Sequence, residues 1–448
     1  MDSKREDKSE PMKDDISIGL IGFGTVGCGV LKLLQEKKDL LEKRVGSRLV
    51  LRKVADLNIT TPRIVTPDPQ CLTTDALAVI ADPNIDIVVE LMGGYEPAHS
   101  FLLKAIAAKK HVVTANKALI ATHGNDLFRA AEENGVDIGF EASVGGTIPI
   151  IKTLKESLVA NHIESIFGIM NGTSNFILTK MTDDGESFDV VLKEAQRLGF
   201  AEADPTFDVE GIDASHKLAI LVSLAYGKNV KLEDIYVEGI TGITEQDIAF
   251  AKDLGYRIKL LGIAVDRGDA VEARVHPTMI PFRHLLANVN ANFNAFHVVG
   301  SASGSIFLYG QGAGMMPTAS AVMSDIVDIA RNIRKGISSR VPARSIHEAD
   351  MTDIKLRPFD EVRSNYYFRF SAVDRPGVLS KISGILGERN ISISTVIQKG
   401  RTKEGAVPVV MTTYKARERD VREALQAIDQ LDVVLGKTVL IRVEDDQL

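Results

Sequence analysis

Over its first third the chain alternates short apolar runs with amphipathic stretches. ISIGLIGF, opening at Ile16, reads as a buried strand, glycines break it, and TVGCGVLKLLQEKK then carries helical spacing. LVLRKVAD, IDIVVELM, HVVTAN and DIGFEAS are further β-rich runs, with helical patterns between them at 96–109 and 117–134. Strands alternating with helices predict a doubly wound α/β sheet of Rossmann type over residues 16–143.

The pattern then changes. Over 144–316, helical stretches at 187–198 and 213–226 mix with β-like runs at 165–170, 273–277 and 295–299, which reads as an α+β substrate-binding domain. PTASAVMSDIVDIARNI, 317–333, predicts a helix with proline at its start. Residues 334–362 are polar and mixed, a linker. Residues 363–448 follow the order βαββαβ of a ferredoxin-like sandwich and read as a separable unit. Of the first 15 residues ten are charged, which predicts a disordered tail rather than a secretory signal.

Composition narrows the class. The 448 residues are 45% hydrophobic and 25% charged, enough to bury sizeable cores. A net charge of −7 argues against nucleic acid or an anionic membrane as a partner. No run of about 18 apolar residues suggests a membrane span. Two distant cysteines, Cys28 and Cys71, support neither a disulfide framework nor a zinc cluster and suit a reducing cytoplasm. The histidines, at 99, 111, 123, 162, 216, 276, 284, 297 and 347, show no metal-ligand spacing.

Two constellations carry chemistry. Gly22-Phe23-Gly24-Thr25-Val26-Gly27 is a G-x-G-x-x-G turn between strand and helix, the context in which it cradles a dinucleotide pyrophosphate. Asp56, ending the second strand, would favour NAD by accepting from a ribose hydroxyl; Arg52, Lys53 and Arg63 would favour the 2′-phosphate of NADP, and the choice stays open. Cys28, in the first helical turn, is either an activated thiol or a small residue packed on the sheet. The second constellation is AQRLGFAEADPTFDVEGIDASHK, 195–217, where Glu202, Asp204, Asp208 and Asp213 precede Lys217. Asp213 and Lys217, four apart on a helix, share one face and can grip a zwitterion and move a proton, although such a pair is also an ordinary salt bridge.

The full spacing of 195–217, from Ala195 through Gly199-Phe200-Ala201, Asp204-Pro205, Asp208-Val209, Gly211 and Asp213 to Lys217, resembles the signature of homoserine dehydrogenases. Ala115-Asn116-Lys117 and Asn171-Gly172-Thr173-Ser174-Asn175 match two further motifs of that family, and the turn 374–379, DRPGVL, resembles the ACT domain. The resemblance implies NAD or NADP as cofactor and interconversion of L-homoserine and L-aspartate 4-semialdehyde. It implies Lys217 as the proton donor and acceptor, with Lys117 facing nicotinamide and substrate. Glu202 and Asp213 would hold the substrate ammonium, and Asp208 would hold the lysines in place. Asn171 and Thr173 would shape the cleft. Gly199 would touch cofactor and substrate through its backbone, and Gly312, in a second glycine stretch, would close over the cofactor. Backbone groups of Glu141, Val144, Gly146 and Ile148 would coordinate a monovalent cation, usually sodium. A homodimer or homotetramer, a return of the 317–333 helix onto the nucleotide domain, and threonine inhibition through the ACT unit are also implied. Only 15 residues precede the first strand, so no fused aspartate kinase is expected. Two alternatives stand beside this reading: another NAD(P)-dependent amino-acid oxidoreductase, and a non-catalytic amino-acid sensor on a dehydrogenase scaffold.

Overall fold

A computed structural model describes residues 13–398 and 406–445; residues 1–12 of the expected tail lie outside the described residues. The chain divides into two units. The first comprises the chain up to His162 with Ala219–Leu232 and Gly310–Asp353, the second Ile163–Leu218, Glu233–Tyr309 and the chain from Ile354 onward.

The first unit is built on a parallel sheet of β1 (Asp15–Ile21), β2 (Arg48–Ala55), β3 (Leu72–Thr73), β4 (Ile87–Glu90), β5 (His111–Thr114) and β6 (Ile138–Gly139). Their order, 3-2-1-4-5-6, is that of dinucleotide-binding sheets. Ile16, Ile18 and Leu20 of β1 are fully buried, which explains why β1 reads as a continuous apolar run instead of alternating. The helix Thr25–Glu36 covers one face together with a helix that returns late in the chain, Met315–Arg334. Gly29 lets them touch, because a Cβ there would lie 2.8 Å from Ala319 Cβ. The return helix begins two residues before the expected 317. Pro317 sits inside its first turn, where a missing N–H leaves no helical bond unmade.

The stretch expected as a linker starts as part of this unit. Arg344 is buried and donates to Asn125 Oδ1 at 2.6 Å, Asn229 Oδ1 at 2.9 Å and Glu348 Oε1 at 3.0 Å. Its guanidinium stacks on the Phe128 ring, 5.0 Å from the centroid.

The second unit holds β7 (Ile163–Ile169), β8 (Tyr256–Asp266), β9 (Val271–Pro281), β10 (Phe293–Gly300), β11 (Gly304–Gln311), β12 (Arg363–Val373), β13 (Ile393–Gln398), β14 (Ala406–Thr413) and β15 (Val439–Val443). They form one sheet in the order β11-β10-β7-β8-β9-β15-β12-β14-β13. The last four strands, with helices Val378–Glu388 and Glu418–Ile428, complete the expected βαββαβ sandwich around a core of Tyr366, Phe368, Phe370, Ile382 and Val421. This sandwich is joined to the rest: β15 pairs in parallel with β9, Thr278 opposite Arg442 and Met279 opposite Val443. Buried charges close the seam. Arg274 bonds Glu272 at 2.7 Å and Glu444 at 2.8 Å, and Arg442 bonds Glu418 at 2.6 Å and Glu238 at 2.8 Å.

Candidate active site

In the first unit, the three glycines of the turn do three jobs. Gly22 has φ +95°, and a Cβ on it would meet the Leu91 backbone at 2.6 Å. A Cβ on Gly27 would meet Gly22 O at 2.5 Å, so the helix packs tightly on the strand. Gly24, the N-cap of the helix Thr25–Glu36, has nothing within 4 Å of a Cβ position. Crowding on two sides and open space over the N-terminal N–H groups is the cradle a pyrophosphate needs. Phe23, Thr25 and Val26 lie on this turn. The backbone N–H of Phe23 donates to Asp56 Oδ2 at 2.6 Å.

Asp56 therefore reaches the glycine turn despite lying 34 residues after Gly22, because two helices, Thr25–Glu36 and Lys38–Val45, intervene. Burial works to raise its pKa, but N–H groups of Asn58 and Phe23 and the Arg63 guanidinium outweigh it and hold the carboxyl below its ordinary value. Arg63 also donates to Phe23 O and lies 4.8 Å over the Phe23 ring. Arg63 is thus fixed beside the turn, whereas Lys53 is drawn to Asp82 at 3.0 Å and Arg52 Nε to Ser17 Oγ at 3.2 Å. Cys28 is buried, and burial pushes its thiol up, as it does for Cys71. Neither is poised as the nucleophile an acylating aldehyde dehydrogenase requires.

Lys117 opens the helix Lys117–Asn134 just beyond the carboxyl end of β5. Its neighbour Asn116 caps that helix, Oδ1 accepting from Leu119 N at 3.1 Å, while Nδ2 donates to Gly94 O at 2.6 Å. Beneath them sits Glu90, a residue missed from the sequence. It is fully buried at the end of β4, accepts from Met92 N at 2.7 Å and from Thr114 Oγ1 at 2.6 Å, and has its pKa raised by burial. An acid ending a buried strand before a glycine pair, VVELMGG, was the available signal.

The segment holding Glu141, Val144, Gly146 and Ile148 is a tight turn, with positive φ at Gly145 and Gly146 and Ile148 N bonded to Gly145 O at 2.9 Å. Gly146 lies against Gly312: a Cβ there would be 2.5 Å from the Gly312 carbonyl carbon. The Glu141 side chain turns inward and accepts from Ile151 N at 3.0 Å and Lys152 N at 2.9 Å. Burial, and the nearby Asp325 carboxylate, push its pKa up to about 8. The backbone carbonyls of such a turn match the oxygen preference of a hard cation.

In the second unit, Asp213 and Lys217 do share a face of the helix Ile212–Tyr226. Lys217 Nζ donates to Asp213 Oδ2 at 2.6 Å and to Met170 O at 2.7 Å. Asn171 ties in the second acid, its Nδ2 donating to Asp213 Oδ2 at 2.9 Å and Asp208 Oδ1 at 2.7 Å. Its Oδ1 caps the helix Gly172–Asp184 through Ser174 N. Asp213 is 2% and Lys217 8% exposed, so the pair is held in a dry environment. Asn294, also missed, donates to the same Met170 carbonyl at 3.0 Å. Thr173 Oγ1 donates to Phe200 O at 2.7 Å and so anchors the Gly199 turn, where φ is +76° and no atom lies within 4 Å of a Cβ position. Glu202 and Asp204 are exposed and stand outside this hydrogen-bonded group; the Glu202 carbonyl accepts from Gln196 Nε2.

The chain is similar to several known proteins. Residues 22–141 match the family model for the homoserine dehydrogenase NAD binding domain, 149–327 that for homoserine dehydrogenase, and 366–433 that for the ACT domain. The chain is 45% identical to the homoserine dehydrogenase of Pseudomonas aeruginosa over 436 residues, covering 96% of this chain and 99% of that one. Its structure is similar to that of a homoserine dehydrogenase from Thiobacillus denitrificans, with TM-score 0.90, 47% identity, and 96% and 98% of the two chains covered. A hyperthermophilic archaeal homoserine dehydrogenase in complex with NADPH is similar over 70% of this chain and 97% of that one, with TM-score 0.59 and 27% identity. No helix of the described residues is long and apolar enough to cross a membrane. The three model matches and the near full-length identity place this chain in the homoserine dehydrogenase family, as an NAD(P)-dependent oxidoreductase with an ACT domain.

Proposed function

We propose that the chain interconverts L-homoserine and L-aspartate 4-semialdehyde in the cytoplasm, serving threonine, methionine and isoleucine synthesis. The buried Lys217–Asp213–Asn171 group carries this reading. The nicotinamide cofactor supplies the hydride donor and acceptor. The turn Gly22–Gly27 would hold its pyrophosphate on helix N–H groups, and Gly312 would close over the same ligand. Lys217 hands a proton to the substrate's terminal oxygen as the aldehyde is reduced and takes it back in the reverse direction. Its bonds to Met170 O and Asp213 Oδ2 aim the ammonium. Asp213 and Glu202 bind the substrate ammonium, while Asp208, through Asn171, orients the acid–lysine pair. Thr173 and Gly199 shape the substrate's surroundings. Lys117 stands at the carboxyl edge of the parallel sheet, where such sheets take their ligands, and is the cofactor-side lysine. Carbonyls of Glu141, Val144, Gly146 and Ile148 would hold a sodium ion, which braces the turn.

The fixed Arg63 beside Asp56 supports use of NADP as well as NAD. The ACT domain supports control by an amino acid, with L-threonine the first candidate and a homodimer or homotetramer the functional form. Gly377, at φ +89°, caps the helix Val378–Glu388, so its N–H groups are placed for an effector carboxylate. The test is NADPH and NADH oxidation with aspartate semialdehyde against a panel of other aldehydes, with and without threonine. Activity confined to aspartate semialdehyde is expected, with threonine inhibition that weakens in Gly377→Asp. Turnover of other aldehydes at comparable kcat/KM would replace the substrate assignment. Inhibition unchanged in Gly377→Asp would move the effector elsewhere.

A further inference from the structure

Sequence spacing set His99 and His123 apart, 24 residues from one another, but packing brings them together. His99 lies in the first turn of the helix Ala98–Ala107; His123 and Asp126, three apart, lie on the helix Lys117–Asn134 that packs beside it. One ligand atom from each of the three residues lies within 4.8 Å of the others. We propose that His99, His123 and Asp126 form a binding site for a divalent transition-metal ion of the zinc type.

Three observations carry this. Nε2 of His99 is buried and makes no hydrogen bond, an expensive state for a polar atom unless a ligand meets it. On the far side of the same ring, Nδ1 is 3.4 Å from Glu96 Oε1. Glu96 is itself fixed by Ser100 Oγ at 2.7 Å. Carboxylate to Nδ1, with Nε2 left for the metal, is how outer residues orient a ligating histidine. The donor set then selects the ion: two imidazoles and one carboxylate suit zinc, cobalt, nickel or copper, not sodium or magnesium. Three protein ligands leave one tetrahedral position for water or a small ligand.

The rings now stack, centroids 4.7 Å apart and planes 24° from parallel. An ion at about 2.1 Å from each nitrogen needs them about 3.3 Å apart, both pointing inward. Binding must therefore turn the rings out of their stack. Gly94, just before Glu96, accepts from Asn116, and Asn116 caps the helix that Lys117 opens. A bound ion would tie the 95–100 turn to the Lys117 helix. The site shares no residue with the oxygen-donor turn at 141–148.

The test uses the full chain, stripped by chelator and titrated with Co2+ by visible absorption and with Zn2+ by calorimetry. One equivalent of Co2+ with a tetrahedral d–d spectrum is expected, displaced by Zn2+ but not by excess NaCl. His99→Gln and His123→Gln should each weaken binding at least about 100-fold, and Glu96→Gln about 10- to 100-fold. Asp126 is exposed, so Asp126→Asn reports on the site even where a histidine variant misfolds. Absence of saturable binding, an affinity unchanged in Asp126→Asn and the histidine variants, or a thiolate charge-transfer band from Cys28 or Cys71 would each overturn the proposal.

Discussion

Lys217 is held by two acceptors at once, a carboxylate and a backbone carbonyl, which fixes where its Nζ sits. Lys217→Met should lower kcat at least about 100-fold, the usual weight of general acid–base catalysis, with the fold kept. More than half the wild-type kcat in steady-state assays would remove Lys217 from that role. A different lysine governs stability. Lys259 is 2% exposed, and burial, then the Arg257 charge, brings its pKa down to about 7. Its ammonium donates to Asn175 Oδ1 at 2.9 Å and Val289 O at 2.6 Å. An unfolded lysine titrates near 10.4, so between about pH 7 and 10 the unfolded chain holds the extra proton. This group's contribution therefore grows as pH rises through that window, by up to about 1.4 kcal/mol per unit, and is lost as pH falls through 7. Urea melts of wild type and Lys259→Met at pH 7 and pH 9.5 should differ in slope by this term. Parallel pH dependences would show that Lys259 stays charged throughout.

At the scale of an element, the glycine turn separates ligand binding from packing within six residues. Gly24→Val adds a side chain to open space, so the variant should fold and fail to bind dinucleotide, read by nicotinamide fluorescence. Gly27→Val places atoms 2.5 Å or closer to the Gly22 carbonyl, and the expected result is a fall in Tm. Unchanged dinucleotide affinity in folded Gly24→Val would put the cofactor elsewhere. The turn and its flanking elements were legible because their signals are local: an apolar run, glycines at fixed offsets, then helical spacing. The boundaries of the return helix were less so. Proline at its third position looks like a start, while the preceding Met315 and Met316 carry no stop or start signal.

For the whole molecule, the C-terminal sandwich is the informative part. Its order of elements suggests a domain that can be cut away, yet β15 extends the sheet of β9 and two arginines bridge the seam. Arg442 is 1% exposed and is surrounded by Glu418, which is fully buried, and Glu238. Arg442→Met leaves Glu418 buried with one fewer partner and should cost about 3–5 kcal/mol in denaturant unfolding. Removal of residues 361–448 should lower stability as well as regulation, because Arg274 loses Glu444. A truncated chain with wild-type Tm and activity would show that the joined sheet contributes nothing.

Sequence alone determined the class of each part, since alternation, glycine offsets and a helix-spaced acid–lysine pair depend on neighbours along the chain. It also pointed to the Asp213–Lys217 pair, because four residues of helix fix that distance wherever the helix goes. Tertiary structure decided what depends on chain segments meeting: Glu90 beneath Asn116, Asn171 between two acids, Asp56 at the glycine turn, His99 beside His123, and the seam at Arg274 and Arg442. Each of these brings together residues two dozen or more positions apart along the chain, most of them through a buried polar group that has found its partner. Burial makes such pairing obligatory, but no periodicity along the chain records which partner it will be.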